Sequence, residues 1–413
     1  MHCRSPRLAA AVIVCATALT ACAAAPAVTP TAAVDVDDWA TIVQSARGQT
    51  LDWYMYNGDE AVNAVVEQYV APRLSAEYGV TLQVVPVADT ADAVNKVLAE
   101  RQAGRAGSGT VDAIWINGEN FATGKQADLW LCDYPGALPN ARYVDPTDRA
   151  VASDFGVPVE GCEAAWQRAI SGLVYDSAAL TGDDVASLIA LSDWARSNPG
   201  RLAYPAPPDF TGSMVVRTFL YGTAGDPSQL PAEFDAAAFA PLAERLWARL
   251  NALEPSLWRG GETYPTSQAA VEQLYATGEI DAYFTYGPGT VATRVGDGAF
   301  PASTRVAVPS IGNITNVSFV AIPADAPDRE AALVLANLLQ DPETQLRFYA
   351  DAGIFPVLDL DRLPVQVRQR FDVVDPGPVV PPLVELTARA LPEPAVGYLE
   401  AVEDGWTANV LQR

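Results

Sequence analysis

Histidine is almost absent from this chain. A single histidine, His2, stands among the 413 residues, within an N-terminal segment that has the features of a removable signal. A mature chain without histidine can build neither a Ser-His-Asp triad, nor a Cys-His pair, nor a metal site with imidazole ligands. The sequence therefore excludes histidine-dependent hydrolases and histidine-ligated metalloenzymes.

Cysteine is scarce as well. Cys3 and Cys15 lie in the predicted signal and Cys22 at its predicted cleavage site, which leaves Cys132 and Cys162. An even pair in an oxidising compartment predicts a disulfide, with two buried thiols as the alternative. Closing that loop of 30 residues would stabilise the fold by about 3–4 kcal/mol in the chain-entropy model. Neither cysteine belongs to a CxxC motif, which disfavours redox catalysis and zinc binding.

Positive charge is also in short supply. The chain has 26 Lys and Arg against 50 Asp and Glu, a formal net charge of −24, and its lysines are Lys96 and Lys125. Such acidity excludes nucleic-acid binding, which needs basic stripes, and electrostatic adhesion to anionic lipids. It favours the attraction of cations, with a solvated acidic surface that aids solubility as the alternative.

The first 21 residues have the order of a lipoprotein signal. Arg4 and Arg7 precede an apolar run over residues 8–18, and Leu19-Thr20-Ala21 stands directly before Cys22. The run is shorter than the roughly 20 residues that a membrane-spanning helix needs. We therefore predict cleavage before Cys22 and a diacylglycerol on its thiol, since two acyl chains anchor a protein durably. An ordinary cleaved signal with an incidental Cys22 is the alternative.

Beyond the signal, strand-like and helix-like patterns alternate. Residues 22–38, rich in Ala, Pro and Thr, predict a flexible tether. Apolar runs at 50–56, 80–87 and 111–116 predict buried strands, with helical patterns between them. Pro72 should kink or interrupt the first of these helices. The alternation predicts an α/β fold with a parallel sheet.

The second half of the chain repeats the alternation with looser spacing. Residues 170–175, 201–204 and 280–286 predict further strands. Thr211-Gly212-Ser213 opens an apolar helix, and its free amides and hydroxyls could seat an anion. A plain helix cap explains the same three residues equally well.

Polar loops follow two of the predicted parallel strands. Asn57, Gly58 and Asp59 come after the first strand, and residues 117–121 come after the third. In open α/β sheets, ligands bind outside the carboxyl ends of the strands. Both loops are therefore predicted to line a pocket.

Four segments together resemble a known family. They are NVSFVAIPADAPDREAALVLANLLQDPETQLRFY from Asn316, VDAIWINGENF, SGLVYDSAAL and YATGEIDAYFTYGP. Their order and spacing resemble the type II extracytoplasmic solute-binding proteins of ABC importers. The nearest branch is the one that holds thiamine-like importer components, close to the iron and polyamine binders.

The resemblance implies an α/β, two-lobed, periplasmic-binding-protein-like clamshell with crossing hinge strands near 170–175 and 312–320. Residues 39–170 and 311–355 would form lobe 1 and residues 171–310 lobe 2. Residues 356–413 would form a C-terminal segment that packs across the lobes. Such a protein traps a small solute between its lobes and docks on a membrane permease that works with an ATPase. We expect a monomer on the extracytoplasmic face, without catalysis and without a cofactor or metal of its own.

The resemblance also implies a binding site. The paired tyrosines of iron binders and the dense acidic contacts of polyamine binders are not evident, so a cationic aromatic, thiamine-like solute is expected. Aromatic side chains and Glu119 would hold its ring and charge, although each aromatic could equally be core. The candidate ligand-binding residues are Trp53, Asn57, Asn117, Glu119, Asn120, Tyr175, Thr211, Gly212, Ser213 and Tyr286.

A secreted hydrolase with two catalytic carboxylates is the alternative function. Asp and Glu are abundant, and glycoside cleavage does not require histidine. No spacing in the sequence singles out such a pair. A turnover assay on glycans distinguishes this alternative from a binding protein.

The anchoring prediction can be tested at Cys22. The variant Cys22→Ser should be released or mislocalised, because it lacks the thiol that would carry the lipid. Labelling with a fatty-acid probe in the native host measures this directly. Undiminished labelling of the variant would contradict the lipoprotein assignment.

Overall fold

The computed structural model of the protein describes residues 38–105, 108–226, 230–231, 233–374 and 377–412. The predicted signal peptide (1–21), Cys22 with its predicted lipid and the predicted tether up to residue 37 lie outside the described residues. Within the described ranges, none of the helices combines the length and the apolar character that crossing a membrane requires.

The described residues form two main sheets and their flanking helices. The strands are β1 Thr50–Tyr56, β2 Thr81–Val87, β3 Ala113–Ile116, β4 Ser153–Asp154, β5 Val157–Pro158, β6 Ala164–Ile170, β7 Gly172–Asp176, β8 Ala282–Thr285, β9 Thr304–Ala307, β10 Asn313–Ala321 and β11 Ala390–Pro392. The α-helices are α1 Trp39–Ala46, α2 Glu60–Val65, α3 Ala71–Arg73, α4 Thr90–Gln102, α5 Glu119–Gln126, α6 Arg149–Ala152, α7 Gly182–Val185, α8 Leu188–Ser197, α9 Phe210–Ala224, α10 Ala236–Leu253, α11 Gln268–Ala276, α12 Pro288–Gly296, α13 Arg329–Leu339, α14 Pro342–Ala352, α15 Val365–Asp372, α16 Leu383–Thr387 and α17 Val396–Trp406.

The first three predicted strands form one side of the first sheet. β1 pairs in parallel with β2 on one edge and with β3 on the other, as the alternation with helices predicts. Helices cover both faces of such a parallel sheet, so its strands are apolar along much of their length. In β1, Trp53 and Met55 join one core cluster while Tyr54 joins another, because successive side chains of a strand point to opposite faces.

Regular α-helical structure is interrupted around Pro72, as predicted, but the helix does not end there. Helical backbone continues from α2 through α3 to Tyr78, with π-helical turns at Val66–Val70 and Leu74–Tyr78. A proline ring clashes with the carbonyl of the fourth residue before it in a regular α-helix. The wider π turn directly before Ala71 changes that spacing, which is how a helix accommodates such a residue.

Strand β10 completes the first sheet and is buried along all nine of its residues. Its residue Val320 pairs with Ala164 of β6 and with Trp115 of β3, so these two strands lie on opposite edges. Thr315 pairs likewise with Ile170 of β6 and with Pro392 of β11. Strands β3 and β11 therefore share one edge of β10, one antiparallel and one parallel to it.

The second sheet is antiparallel and has the order β8-β7-β9. The chain enters it from β6 through Ser171 alone and leaves it for β10 over residues 308–312. These crossings adjoin the strands β7 and β10, which correspond to the crossing strands that the family resemblance implies near 170–175 and 312–320. The strand predicted at 201–204 is wrong, because Leu202 forms only isolated bridges, to Leu257 and Ala282. Pro205 follows directly, and a residue without an N–H cannot extend a ladder.

The C-terminal segment contacts both halves of the fold. Strand β11 adds to the first sheet, α15 packs against α14, and α17 packs against α9 and α10 beside the second sheet. Tyr398, Val402 and Trp406 of α17 belong to the core cluster of the second sheet. The lobe boundaries themselves stay predictions.

The sulfur atoms of Cys132 and Cys162 are joined in the structure, 2.01 Å apart. The bond ties the segment after α5 to the residue pair that precedes β6. It is the pairing that the sequence predicts for the exported protein.

Oxidation of this pair can be tested in protein exported by its native host. Peptide mapping without reductant should find Cys132 linked to Cys162. Replacing both by serine should lower the free energy of unfolding by about 3–4 kcal/mol, because the unfolded chain regains the entropy of an open loop. Denaturant unfolding measures that loss, and two free thiols in the exported protein would refute the pairing.

Candidate functional site

The carboxyl ends of β1 and β3 lie side by side at one edge of the first sheet. Because these strands are parallel neighbours, the residues that follow them emerge together. Tyr56 ends β1, and its ring packs edge-to-face against Trp115 of β3 with centroids 6.2 Å apart. The segment 117–120 follows β3 and leads into α5.

A second group of aromatic side chains faces this edge. Phe210 begins α9 and stacks on Tyr286, which follows β8, with ring centroids 5.0 Å apart. Burial raises the pKa of Tyr56, and the carboxylates of Asp209 and Asp59 raise it further. The Phe155 ring links the two groups, because it packs against Gly118 after β3 and its centroid lies 6.3 Å from that of Phe210. Tyr56 and Phe210 nevertheless remain 44% and 45% exposed. We call the space between these two groups the cleft.

A buried ion pair lies behind Tyr286. The Arg217 side chain, 0% exposed, donates from Nε and Nη2 to the two carboxylate oxygens of Glu393, at 2.8 and 3.1 Å. The Tyr286 hydroxyl donates to Glu393 and accepts from Arg217 Nη2 at 3.3 Å. Burial lowers the pKa of Arg217, but Glu393 and Tyr286 more than offset it, so the guanidinium stays charged. Removing one partner of such a pair costs about 3–5 kcal/mol.

Carboxylates surround this ion pair. Glu403 of α17 accepts a hydrogen bond from the Ser213 hydroxyl. Burial raises the pKa of Glu119 and the carboxylate of Asp89 raises it further, whereas Arg217 lowers it. Because Arg217 is already neutralised by its own ion pair, this side of the cleft carries excess negative charge.

A further acidic group lies at the start of α2. Asp59 caps this helix by accepting hydrogen bonds from the amides of Ala61 and Val62. Burial raises its pKa, and Arg294 lowers it. Arg294 is itself paired with Glu272 of α11 at 2.7 Å, so this one cation acts on the carboxylates of both Asp59 and Glu272.

Several predicted site residues are accessible. Asn57 and Glu119 are exposed and Asn120 is half-buried, whereas Tyr286 packs against Phe210. Asn117 donates to the side-chain oxygen of Asn316 on β10 at 3.4 Å.

The expected anion seat at the start of α9 is already filled by the chain itself. The amides of Thr211 and Gly212 both donate to Asp209 Oδ1 at 3.0 Å, and the Ser213 amide donates to the Asp209 carbonyl. Thr211, Gly212 and Ser213 are also buried. The prediction of an anion site is therefore wrong, and the helix-cap interpretation is correct.

Two predicted aromatic ligands lie elsewhere. Trp53 is 0% exposed and packs against Trp166 at 5.7 Å, in the core below the first sheet. The aromatic that reaches the cleft from β1 is Tyr56, at the end of the strand. Tyr175 of β7 pairs with Ala282, the first residue of β8, whereas Tyr286 follows the last residue of that strand. The residues 283–285 between them span about 10 Å along the strand. The prediction for Trp53 is therefore wrong, whereas that for Tyr175 stays a prediction.

The sequence reasoning missed Phe210, Arg217, Glu393 and Glu403. Arg217 does leave a signal, because a lone charge in the apolar stretch 214–221 needs a buried partner. Glu393 and Glu403 leave none, since they lie more than 170 residues along the chain from their partners.

A buried carboxyl lies at the base of the cleft. Asp154, 2% exposed, accepts a hydrogen bond from the Gly118 amide at 2.7 Å. Burial raises its pKa to about 8, and the carboxylates of Glu393 and Glu119 contribute to the rise. A cavity of about 10 Å³ beside it is lined by Thr315 and Asn316, and it has room for one water molecule rather than a solute.

A larger cavity, about 340 Å³, lies between α12 and α14. Among the described residues its lining is uncharged and includes Ala292, Tyr349, Phe355 and Val380. Within the described ranges, no three Asp, Glu, Cys or His side chains are grouped as metal ligands.

Comparison with known proteins gives consistent results. The profile of the family described as bacterial extracellular solute-binding protein matches residues 64–360. Protein YnjB of Escherichia coli strain K12 is 36% identical over 377 residues, which cover 91% of this chain and 94% of that protein.

Two solved structures are similar in fold. An ABC transporter substrate-binding protein from Bradyrhizobium japonicum has a TM-score of 0.62 at 18% identity, covering 87% of this chain and 99% of that one. The spermidine/putrescine ABC transporter substrate-binding protein of Streptococcus pneumoniae has a TM-score of 0.58 at 14% identity, covering 87% and 98%. These likenesses confirm the fold class expected from the sequence.

The raised pKa of Asp154 predicts a pH-dependent stability. The folded state keeps the proton up to about pH 8, whereas the unfolded chain loses it near pH 4. The free energy of unfolding should therefore fall as the pH rises from about 4 to about 8, with a slope of up to about 1.4 kcal/mol per pH unit. Asp154→Asn should lack this part of the slope in denaturant unfolding, and parallel curves for the two proteins would contradict the assignment.

Proposed function

This chain belongs to the family of bacterial extracellular solute-binding proteins, and we propose that it is the solute-receptor subunit of an ABC importer. In this role the two lobes close on a solute by bending at the crossings near 171 and 308–312. The closed form then docks on a permease that works with an ATPase. The fold likeness to substrate-binding proteins of ABC transporters supports this assignment.

The solute is a small organic cation with an aromatic ring, of the thiamine type. The observation that carries this proposal is the pair Tyr56 and Phe210, exposed aromatics at the end of β1 and at the start of α9. A cation held against an aromatic face gains about 0.5–2 kcal/mol, more where water is excluded. The carboxylates of Asp59, Asp209 and Glu119 supply the countercharge.

Two other solute or activity classes are less well supported. A polyamine, the solute in the name of the Streptococcus pneumoniae protein, would use the carboxylates but leave the exposed aromatics without an aromatic partner. The alternative of a secreted glycoside hydrolase finds no support in the family match. An anionic solute is disfavoured because Arg217 is committed to Glu393 and the α9 amides to Asp209.

The predicted location follows from the N-terminus. We propose that the mature chain starts at a lipid-bearing Cys22 and works as a monomer on the extracytoplasmic face of the cell membrane, without nucleic-acid partners. The disulfide between Cys132 and Cys162 suits that oxidising location.

The proposal is tested on protein purified from its native host. Mass spectrometry of the small molecules carried through purification identifies the solute class. Calorimetric titration with thiamine, spermidine and the neutral sugar glucose should show saturable binding of thiamine and none of glucose. Binding of glucose alone, or release of reducing ends from glycans, would overturn the proposed function.

Glu119 provides a test of the acidic side of the cleft. Glu119→Gln should weaken thiamine binding by about 1–3 kcal/mol, the range for a hydrogen bond to a charged group, while the melting temperature changes little because the side chain is exposed. Glu67→Gln, an exposed carboxylate further along the helix after β1, is the matched control and should bind as the wild type does. Equal affinities in calorimetry for both variants would remove Glu119 from the site.

A further inference from the structure

Phe155 adopts a backbone conformation that is costly for its residue type. It lies between β4 and β5, at the tip of a two-strand hairpin, with φ of +43°. The other described non-glycine residues with positive φ carry charged side chains: Asp128, Asp133, Glu160 and Arg259. A bulky side chain in this region is a genuine outlier and persists only where its surroundings hold it there.

The Phe155 ring touches both sides of the cleft base. It is 2% exposed, its centroid is 6.3 Å from that of Phe210, and the Arg217 guanidinium lies 5.6 Å from it. On the first-sheet side it packs against Gly118, where an added Cβ would come within 3.4 Å of the ring.

The hairpin tip is also tied to the C-terminal segment. The Phe155 carbonyl accepts a hydrogen bond from the Val396 amide at 3.0 Å, at the start of α17. The next residue, Gly156, packs so closely that an added Cβ would lie 2.8 Å from the Ala395 Cα. Three separate parts of the fold therefore meet at this hairpin tip: Gly118 and α9 contact the Phe155 ring, and the start of α17 contacts the backbone of Phe155 and Gly156.

We propose that Phe155 is a positioning residue for solute binding. Its ring fixes the positions of Phe210 and Arg217 relative to the Gly118–Glu119 turn. This inference rests on the proposed function, since it assigns a role within the same cleft. Phe210 supplies an exposed aromatic face, and Arg217 adjusts the charge on Glu119 and Glu403. A residue that touches both fixes the aromatic and the acidic parts of the site together.

The expected loss follows from the population of the competent arrangement. If only a fraction of molecules keeps the two parts in register, the apparent dissociation constant rises by the inverse of that fraction. Removing the ring frees Phe210 on its buried side, so we expect thiamine to bind at least about tenfold more weakly to Phe155→Ala and to Phe155→Leu.

Phe155→Gly separates positioning from packing. Glycine relieves the positive φ that alanine keeps, so the glycine variant should be no less stable than the alanine variant, yet should bind thiamine equally weakly. Asp128→Gly relieves the same kind of backbone strain at an exposed site and should bind thiamine as the wild type does. If affinity recovered along with stability in Phe155→Gly, the ring would have a packing role only, and the proposal would fail.

A measurement without solute keeps this test independent of the solute's identity. Nitroxide labels on Asp92→Cys of α4 and Asp183→Cys of α7, both exposed, report the distance between the two sides. The distribution of distances should broaden in Phe155→Ala relative to the same labelled protein with Phe155. An unchanged distribution would overturn the role of Phe155. Absence of thiamine binding by the wild type, with broadening present, would refute only the proposed solute.

Discussion

The pairing of β10 is the constraint on which the rest of the structure depends. All nine residues of β10 are buried, so each of its backbone groups needs a partner in the protein. Strand β6 pairs with one edge of β10, and β3 and β11 both pair with the other edge. These two run towards each other along that edge: β3 ends with Ile116 opposite Phe319, and β11 ends with Pro392 opposite Thr315. Their carboxyl ends therefore meet near the middle of β10. This is why the turn at 117–119 and Glu393, far apart in sequence, form one site.

Electrostatics then decides what that junction can hold. The buried Arg217 is neutralised by Glu393 and Tyr286, so it stabilises the base of the cleft without offering a free positive charge to an anion. The neighbouring carboxylates are less fully compensated. Burial raises the pKa of Glu119 and of Glu403, and the charge on Glu119 raises the pKa of Glu403 further. An arriving cation would relieve this repulsion, which is the physical link between the shape of the cleft and the proposed solute.

Parts of this arrangement are visible in the sequence because they depend on local pattern. The strands β1, β2 and β3 are apolar runs bounded by turn residues, and the first of them has the predicted bounds, Thr50–Tyr56. The segment 201–204 has a similar apolar character but forms only bridges, since a run of four residues before a proline does not distinguish a strand from a packed loop. Trp53 and Tyr56 show the same limit within one strand. Both are aromatic, and only the packing of the sheet assigns one to the core and the other to the cleft.

The sequence by itself determined the α/β fold class and the loops after β1 and β3, because apolar periodicity and turn residues act over short distances along the chain. The two crossings between the sheets were implied by its resemblance to a known family. Only the tertiary structure decided which side chains meet. Arg217 pairs with Glu393 and Ser213 with Glu403 across 176 and 190 residues, and Asp209 occupies the helix start that a free anion would otherwise use. Contacts between residues so far apart in sequence arise because β10 pairs with β3, β6 and β11 in one sheet. No local pattern in the chain encodes them.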